Sequence, residues 1–132
     1  MFVLREISSA SAWLSFTSRD CAHTSAGDAF ADVARESDRE PQLVAIGVNC
    51  CPPERVESLV RAIRSSTSKP IVVHPNSGEV RNATARDWDG APDSRRLADC
   101  APAWIAASDT WLGGCCRNTP NDIRELRLLV RV

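Results

Sequence analysis

The chain has 132 residues, of which 43% are hydrophobic and 25% charged, a composition typical of one soluble globular domain. Its 16 basic and 17 acidic residues are interleaved and give a net charge of −1, so charge offers no reason to expect nucleic acid or an anionic membrane as a partner. The N-terminal apolar run, residues 2–4, is too short for a signal peptide or a spanning helix, and we expect a cytoplasmic protein.

Strands and helices alternate in the first half of the chain. Residues 12–16 predict a strand, and residues 25–37 predict a helix with a modest apolar face. Residues 42–48 predict a second strand that is apolar on both faces, as expected for a buried parallel strand. A helix then begins at Pro53, since proline is favoured at the first helical position. Its apolar residues recur with helical spacing: Val56, Leu59, Val60 and Ile63.

The alternation continues in the second half. Residues 70–74 predict a third strand, and the polar residues 76–93 a long loop. A helix is predicted over about residues 94–107, where Pro102 either kinks the helix or shifts its start. Residues 110–113 predict a fourth strand.

The last helix has a clear start signal. Thr119 is a good N-cap, Pro120 follows at the first helical position, and Asp122 lies at the third. The chain therefore contains four successive βα units, which predict a parallel sheet with helical crossovers in a single α/β domain over residues 1–132.

Three of the six cysteines follow predicted strands. Cys50 ends the second strand run, and Cys115 and Cys116 follow the fourth. Three thiols at the ends of two strands predict a zinc site with one open position, although buried cysteines also occur simply as small apolar residues. Adjacent residues of a regular strand point to opposite faces, so we expect Gly113 and Gly114 to let the backbone turn before the cysteines.

Three separated segments resemble the homocysteine S-methyltransferase family. They are residues 47–50 (GVNC), residues 70–79 (PIVVHPNSGE) and residues 113–120 (GGCCRNTP), and residues 12–17 look like the fifth strand of that family. The resemblance implies a TIM-type (β/α)8 barrel, of which this chain supplies the C-terminal half, about four βα units. The family's first four strands have no counterpart here.

The resemblance also implies a cofactor and substrates. The family includes zinc enzymes that use S-methylmethionine, S-adenosylmethionine or betaine as methyl donor. By resemblance, Zn²⁺ is bound by Cys50, Cys115 and Cys116, and the homocysteine thiol takes the fourth position. The family motif selects Cys50, which leaves Cys51 as a loop thiol.

Other polar residues follow the strands on the same side. We predict that Asn49, Ser77 and Glu79 bind substrate; alternatively Asn49 only shapes its loop and Glu79 only caps one. We expect His74 to be a packed histidine. Arg117 either binds a carboxylate or completes the turn into the last helix.

The predicted function is methyl transfer from a sulfonium donor, S-methylmethionine or S-adenosylmethionine, to homocysteine, giving methionine. The main alternative is a truncated half-barrel that binds zinc but lacks activity alone, since four barrel strands leave two open edges. Such a piece is expected to self-associate or to pair with the missing N-terminal half. A small thiol-rich metal-binding or redox protein is a third hypothesis, and the lack of a Cys-x-x-Cys motif disfavours its redox version.

Overall fold

The computed structural model describes residues 4, 6–90, 97–108 and 110–130 of the chain. Within them lie six strands and four helices. The strands are β1 (Ala12–Phe16), β2 (Leu43–Asn49), β3 (Ile71–His74), β4 (Val80–Asn82), β5 (Asp87–Asp89) and β6 (Thr110–Leu112). The helices are α1 (Phe30–Asp38), α2 (Pro53–Arg64), α3 (Leu97–Ala107) and α4 (Pro120–Leu129).

Four of the strands form one parallel sheet in the order β1-β2-β3-β6. Helices α1, α2 and α3 lie in the connections between successive strands of this sheet, because parallel neighbours need a crossover. The prediction of an α/β chain with parallel βα units, corresponding to half of a barrel, is confirmed.

The core lies between the helices and one face of the sheet. Alternate residues of β2 and β3 face this core, and the other residues face the opposite side of the sheet. The core-facing residues are fully buried: Ile46, Val48, Ile71 and Val73. Helix α2 begins at Pro53 as predicted and buries the four apolar positions that the periodicity identified. Helix α4 likewise begins at Pro120 after Thr119, whose backbone N–H and hydroxyl both donate to the Asp122 carboxylate. Helical spacing and local start signals were therefore sufficient for these two elements.

The first helix begins five residues later than predicted, at Phe30 instead of Ser25. The preceding residues form a turn, because Gly27 has a φ of +106° and the Asp28 N–H donates to the Thr24 hydroxyl. A left-handed glycine cannot continue a right-handed helix.

The predicted loop over residues 76–93 was wrong in part, since it contains the antiparallel hairpin β4–β5. Asn82 stabilises the hairpin turn by accepting the N–H groups of Thr84 and Ala85, and Arg86 has a left-handed φ of 56°. These three-residue strands are mostly polar and carry no alternation that a sequence pattern could reveal. Residues 91–93 of the predicted loop and 94–96 of the predicted helix lie outside the described residues. Helix α3 itself continues past Pro102.

The face of the sheet opposite the helices carries two exposed indoles. Trp13 on β1 is 56% exposed and Trp111 on β6 is 47% exposed. Trp13 is paired with Ala45 and Trp111 with Val72, in register rows two residues apart, so both indoles lie on the face away from the helices. In the described part of the chain, β1 and β6 are the unpaired edges of the sheet. No helix in these ranges is long and apolar enough to span a membrane.

Candidate metal centre

The strands β2, β3 and β6 are parallel, so their carboxyl ends lie at the same end of the sheet. The Cys50 N–H donates to the His74 carbonyl at 2.8 Å, and the Cys115 N–H donates to the Pro75 carbonyl at 2.9 Å. Backbone hydrogen bonds therefore fasten both cysteine-bearing segments to the segment that follows β3.

The structure brings together the three cysteines that the sequence pattern singled out. The Sγ atoms of Cys50 and Cys116 are 3.4 Å apart, those of Cys115 and Cys116 are 4.0 Å apart, and all three lie within 4.8 Å of one another. Two sulfurs bound to one tetrahedral zinc at about 2.3 Å are about 3.8 Å apart. The spacing therefore fits three corners of a tetrahedral thiolate site, and among the described residues this is the only cluster of three potential ligands.

Cys115 and Cys116 can face one point because the regular strand ends at Leu112 and a turn follows, with Arg117 at a left-handed φ of 69°. The turn expected at the exit of the strand is present, but Gly113 and Gly114 do not supply a left-handed conformation for it, since neither has a positive φ. Glycine is needed at both positions because a side chain would collide with a neighbouring residue. A Cβ on Gly113 would lie 2.6 Å from His74 Cδ2, and one on Gly114 would lie 2.8 Å from Asn118 Oδ1.

The Cys50 thiol is in an environment that disfavours a free thiolate. Burial raises its pKa to about 12, and the neighbouring thiols of Cys116 and Cys115 add to the shift. A cation is what allows several adjacent thiols to be deprotonated together. The backbone of Cys50 is also unusual, with a left-handed φ of 52°.

Cys51, the neighbour of Cys50, lies elsewhere. It is in a loop, as predicted, but it is fully buried in the hydrophobic core, where burial raises the pKa of its thiol to about 12. It is not part of the thiol cluster.

Glu79 links the segments after β3 and β6. Its buried carboxylate accepts the Ser77 hydroxyl at 2.6 Å and two guanidinium nitrogens of Arg117 at 3.0 and 3.3 Å. The hydrogen bonds from Arg117 and then Ser77 lower the pKa of Glu79. The Ser77 N–H also donates to the Cys116 carbonyl at 3.2 Å, which places this link beside the thiols.

Asn49 and His74 lie opposite each other as the last paired residues of β2 and β3. They share a face with Gly47 and Val72, away from the helices. Both are half-buried, and burial lowers the pKa of His74. His74 packs against Gly113, in keeping with the prediction of a packed histidine.

A cavity of about 390 Å³ opens beside the thiols. Three of its lining residues were singled out as site residues from the sequence, namely Cys50, Cys116 and Glu79. Two that were not are Arg55, in the first turn of α2, and Arg81, on β4. The position of Arg55 just after a cysteine-bearing strand end was an available signal, whereas Arg81 depends on the unpredicted hairpin.

A parallel βα sheet with a three-thiol cluster at the carboxyl ends of its strands defines a β/α-barrel-type chain whose three thiols are spaced as ligands of one metal ion. The family model described as homocysteine S-methyltransferase matches residues 2–130, and the chain belongs to this family. The resemblance stated from three sequence segments is thereby confirmed.

Known relatives match nearly all of this chain. It is 36% identical over 129 residues to the homocysteine S-methyltransferase YbgG of Bacillus subtilis and 41% identical over 119 residues to the homocysteine S-methyltransferase of Escherichia coli. These matches cover 98% and 89% of this chain but only 41% and 38% of the relatives. The chain therefore spans about two fifths of the length of the curated relatives it matches.

Solved structures agree with the sequence relatives. The oxidized form of the homocysteine methyltransferase MmuM from Escherichia coli superposes with a TM-score of 0.80 at 37% identity, covering 97% of this chain and 39% of that one. Its metallated form gives a TM-score of 0.79 at 36% identity, with 97% and 38% covered.

Proposed function

We propose that this chain carries the thiol-activating zinc centre of a homocysteine S-methyltransferase, with Cys50, Cys115 and Cys116 as the ligands. The proposal rests on the convergence of their three Sγ atoms, within 4.8 Å of one another, at the edge where β2 and β6 end. The existence of a metallated form of a 36% identical relative supports it.

The proposed reaction is methyl transfer from a sulfonium donor to the thiol of homocysteine, giving methionine. Zn²⁺ bound to three thiolates would leave its fourth position to the homocysteine thiol and lower the pKa of that thiol. Such a thiolate sulfur would attack the methyl carbon of the sulfonium donor, so that a new S–CH3 bond forms while the S–CH3 bond of the donor breaks. The donor would leave as a neutral thioether, and both partners would lose charge. The protein contributes by holding three sulfurs in place and by shaping the cavity beside them.

The neighbouring polar residues are proposed to position the substrate. The Ser77 hydroxyl donates a hydrogen bond to Glu79. The Ser77 oxygen can therefore still accept a hydrogen bond from a substrate ammonium group. Glu79 lines the cavity and holds Ser77 and Arg117 beside it. Asn49, on the open face at the end of β2, is proposed to bind substrate from the other side of Cys50.

A second candidate is a half-barrel that binds zinc but is inactive alone. It is favoured by the open edges of β1 and β6 among the described residues and by the two-fifths coverage of the relatives. Catalysis needs homocysteine and donor held in line, and the remaining strands of the family barrel would supply much of that positioning. We therefore expect weak methyl transfer from this chain alone and propose the missing N-terminal half, or a second copy, as its partner. The cytoplasmic location and the lack of a nucleic-acid partner stay predictions.

Metal analysis of the purified chain tests the centre. We expect about one zinc per chain in the parent, loss of zinc in Cys115→Ala, and retention in Cys21→Ala, which removes an exposed cysteine outside the cluster. Unchanged zinc in Cys115→Ala would contradict the ligand assignment.

The same preparations test the activity. Methionine formation from homocysteine is measured with S-methylmethionine and with S-adenosylmethionine, before and after addition of the N-terminal half of a relative. We expect turnover to rise when the second half is added. Robust turnover by the 132 residues alone would show that they carry a complete site and would rule out the inactive half-barrel.

A further inference from the structure

We infer that Arg55 and Arg81 bind the α-carboxylate of the sulfur amino acid whose sulfur reacts at the cysteine cluster. This inference rests on the proposed function, because it takes the reacting sulfur to lie at Cys50 and Cys116. It adds a carboxylate subsite to the same cavity. The two arginines would then select α-amino acids over simple thiols or sulfonium compounds.

Arg55, Arg81 and two of the cysteines line one cavity. Arg55 comes from the first turn of α2, five residues after Cys50, and Arg81 comes from β4. The cavity volume of about 390 Å³ lies toward the small end of the range of ligand pockets, as expected for an amino acid.

Both guanidinium groups are held in place by neutral acceptors. The Nη1 atom of Arg55 donates to the Arg19 carbonyl at 3.0 Å. The Nη1 atom of Arg81 donates to the carbonyls of Asn82 and Asp87, both at 2.7 Å. Each of these contacts uses a single nitrogen and fixes the side chain without cancelling its charge. The remaining N–H groups form the fork that suits a carboxylate.

The charge of the cavity favours an anion. Neither Arg55 nor Arg81 has a carboxylate within ion-pair distance among the residues that the structure describes. Glu79, the acidic residue of the cavity lining, is already paired with Arg117. Arg55 also lies at a helix N-terminus, where the helix dipole disfavours a cation, so helix stability does not explain it.

The hairpin contributes an apolar side chain to the lining of the cavity. Trp88 lies directly opposite Arg81 in the β4–β5 register and also lines the cavity. An amino acid with its sulfur at the cysteines and its carboxylate at the arginines would pass its methylene groups along this indole. Homocysteine, the methyl acceptor, and S-methylmethionine, a methyl donor, both carry an α-carboxylate. The test must therefore show which of the two the arginines bind.

Binding to the cadmium-loaded chain tests the inference, since cadmium–thiolate absorption reports a fourth sulfur directly. Homocysteine is compared with 3-aminopropane-1-thiol, which lacks only the carboxylate. S-methylmethionine is compared with its decarboxylated counterpart by calorimetry. The variants are Arg55→Gln and Arg81→Gln, and the matched control is Arg61→Gln, an exposed arginine of α2 paired with Glu57.

We expect the parent to bind one of the two carboxylate ligands about 10-fold or more tightly than its decarboxylated partner. Arg55→Gln and Arg81→Gln should lose this preference while binding the decarboxylated ligand unchanged, and Arg61→Gln should keep it. If the homocysteine pair shows the preference, the arginines bind the methyl acceptor; if the S-methylmethionine pair shows it, they bind the methyl donor.

Two results would contradict these expectations in different ways. If the parent binds the homocysteine thiol but shows no carboxylate preference in either pair, or if the arginine variants keep the preference, the inference is wrong and the proposed function stands. If no thiol adds to the cadmium absorption of the parent, the proposed function fails, and the inference fails with it.

Discussion

Cys50, a proposed metal ligand, has an unfavourable backbone conformation. Its φ of 52° places a non-glycine residue in the left-handed region, which costs about 1–2 kcal/mol. The conformation is held by the hydrogen bond from its N–H to His74 at one strand end and by the burial of Cys51 next to it. It directs the Cys50 sulfur to the cluster while Cys51 enters the core. Strain at this residue is thus tied to the geometry of the thiols.

At this position glycine should therefore be more stable than alanine. In the metal-free chain we expect Cys50→Gly to have a free energy of unfolding about 1 kcal/mol higher than Cys50→Ala, because glycine adopts positive φ without steric cost. Urea unfolding in the presence of a chelator measures the difference. The control pair is Cys21→Gly and Cys21→Ala, at a residue without positive φ, where glycine should not be the more stable. Equal stability of the two Cys50 variants would argue against backbone strain.

At the scale of elements, the Ser77–Glu79–Arg117 link connects the segment after β3 with the turn between β6 and α4. The Glu79 carboxylate is buried and accepts three hydrogen bonds, two of them from a cation. Because these contacts favour its charged form, the pKa of Glu79 is lower in the folded chain than in the unfolded one.

The link should make stability depend on pH in the acid range. A carboxyl whose pKa is lowered on folding stabilises fully above its unfolded pKa, about 4.3 for glutamate, and this contribution is lost as the pH falls through the folded pKa. In Glu79→Gln we therefore expect the free energy of unfolding to fall less steeply between about pH 5 and about pH 3 than in the parent. Denaturant unfolding at several pH values measures this.

The matched control for Glu79 is Glu57→Gln, which removes an exposed carboxylate paired with Arg61 on the surface of α2. Exposed ion pairs contribute little to stability, so this variant should keep the steeper acid dependence of the parent. Parallel pH profiles for Glu79→Gln and the parent would mean that the buried link does not contribute to acid sensitivity.

For the whole molecule, the notable feature is the open sheet. The described strands β1 and β6 each present an unpaired edge, and Trp13 and Trp111 are exposed on the face without helices. Helix α4, which follows β6, exposes further large apolar side chains: Ile123, Leu128 and Leu129. Unpaired parallel edges next to exposed apolar surface favour association with another chain.

We accordingly expect the isolated chain to form dimers or larger species at low micromolar concentration, measured by light scattering. Trp111→Lys should reduce association, because it places a charge on the open face beside the β6 edge. Ile105→Lys, on the exposed side of α3, is the control and should associate like the parent. A compact, cooperatively melting monomer would contradict the half-barrel argument.

Much of the fold could be predicted from the sequence because the determining signals are local. Helices α2 and α4 follow from a proline at the first helical position and from apolar spacing, and β2 follows from a continuous apolar run. The start of α1 was missed because Gly27 adopts a left-handed conformation that composition does not reveal. The β4–β5 hairpin was missed because its strands are too short and polar to show a pattern.

The sequence by itself determined the order of the βα units and placed Cys50, Cys115 and Cys116 at strand ends. Only the tertiary structure decided that these thiols meet, that Cys51 turns into the core, and that Arg55 and Arg81 share a cavity with the cluster. The reason is physical. Helical or strand periodicity extends over a few residues, whereas Cys50 and Cys116 are 66 positions apart. Their distance depends on the register of β2, β3 and β6 and on two backbone conformations that no local pattern specifies.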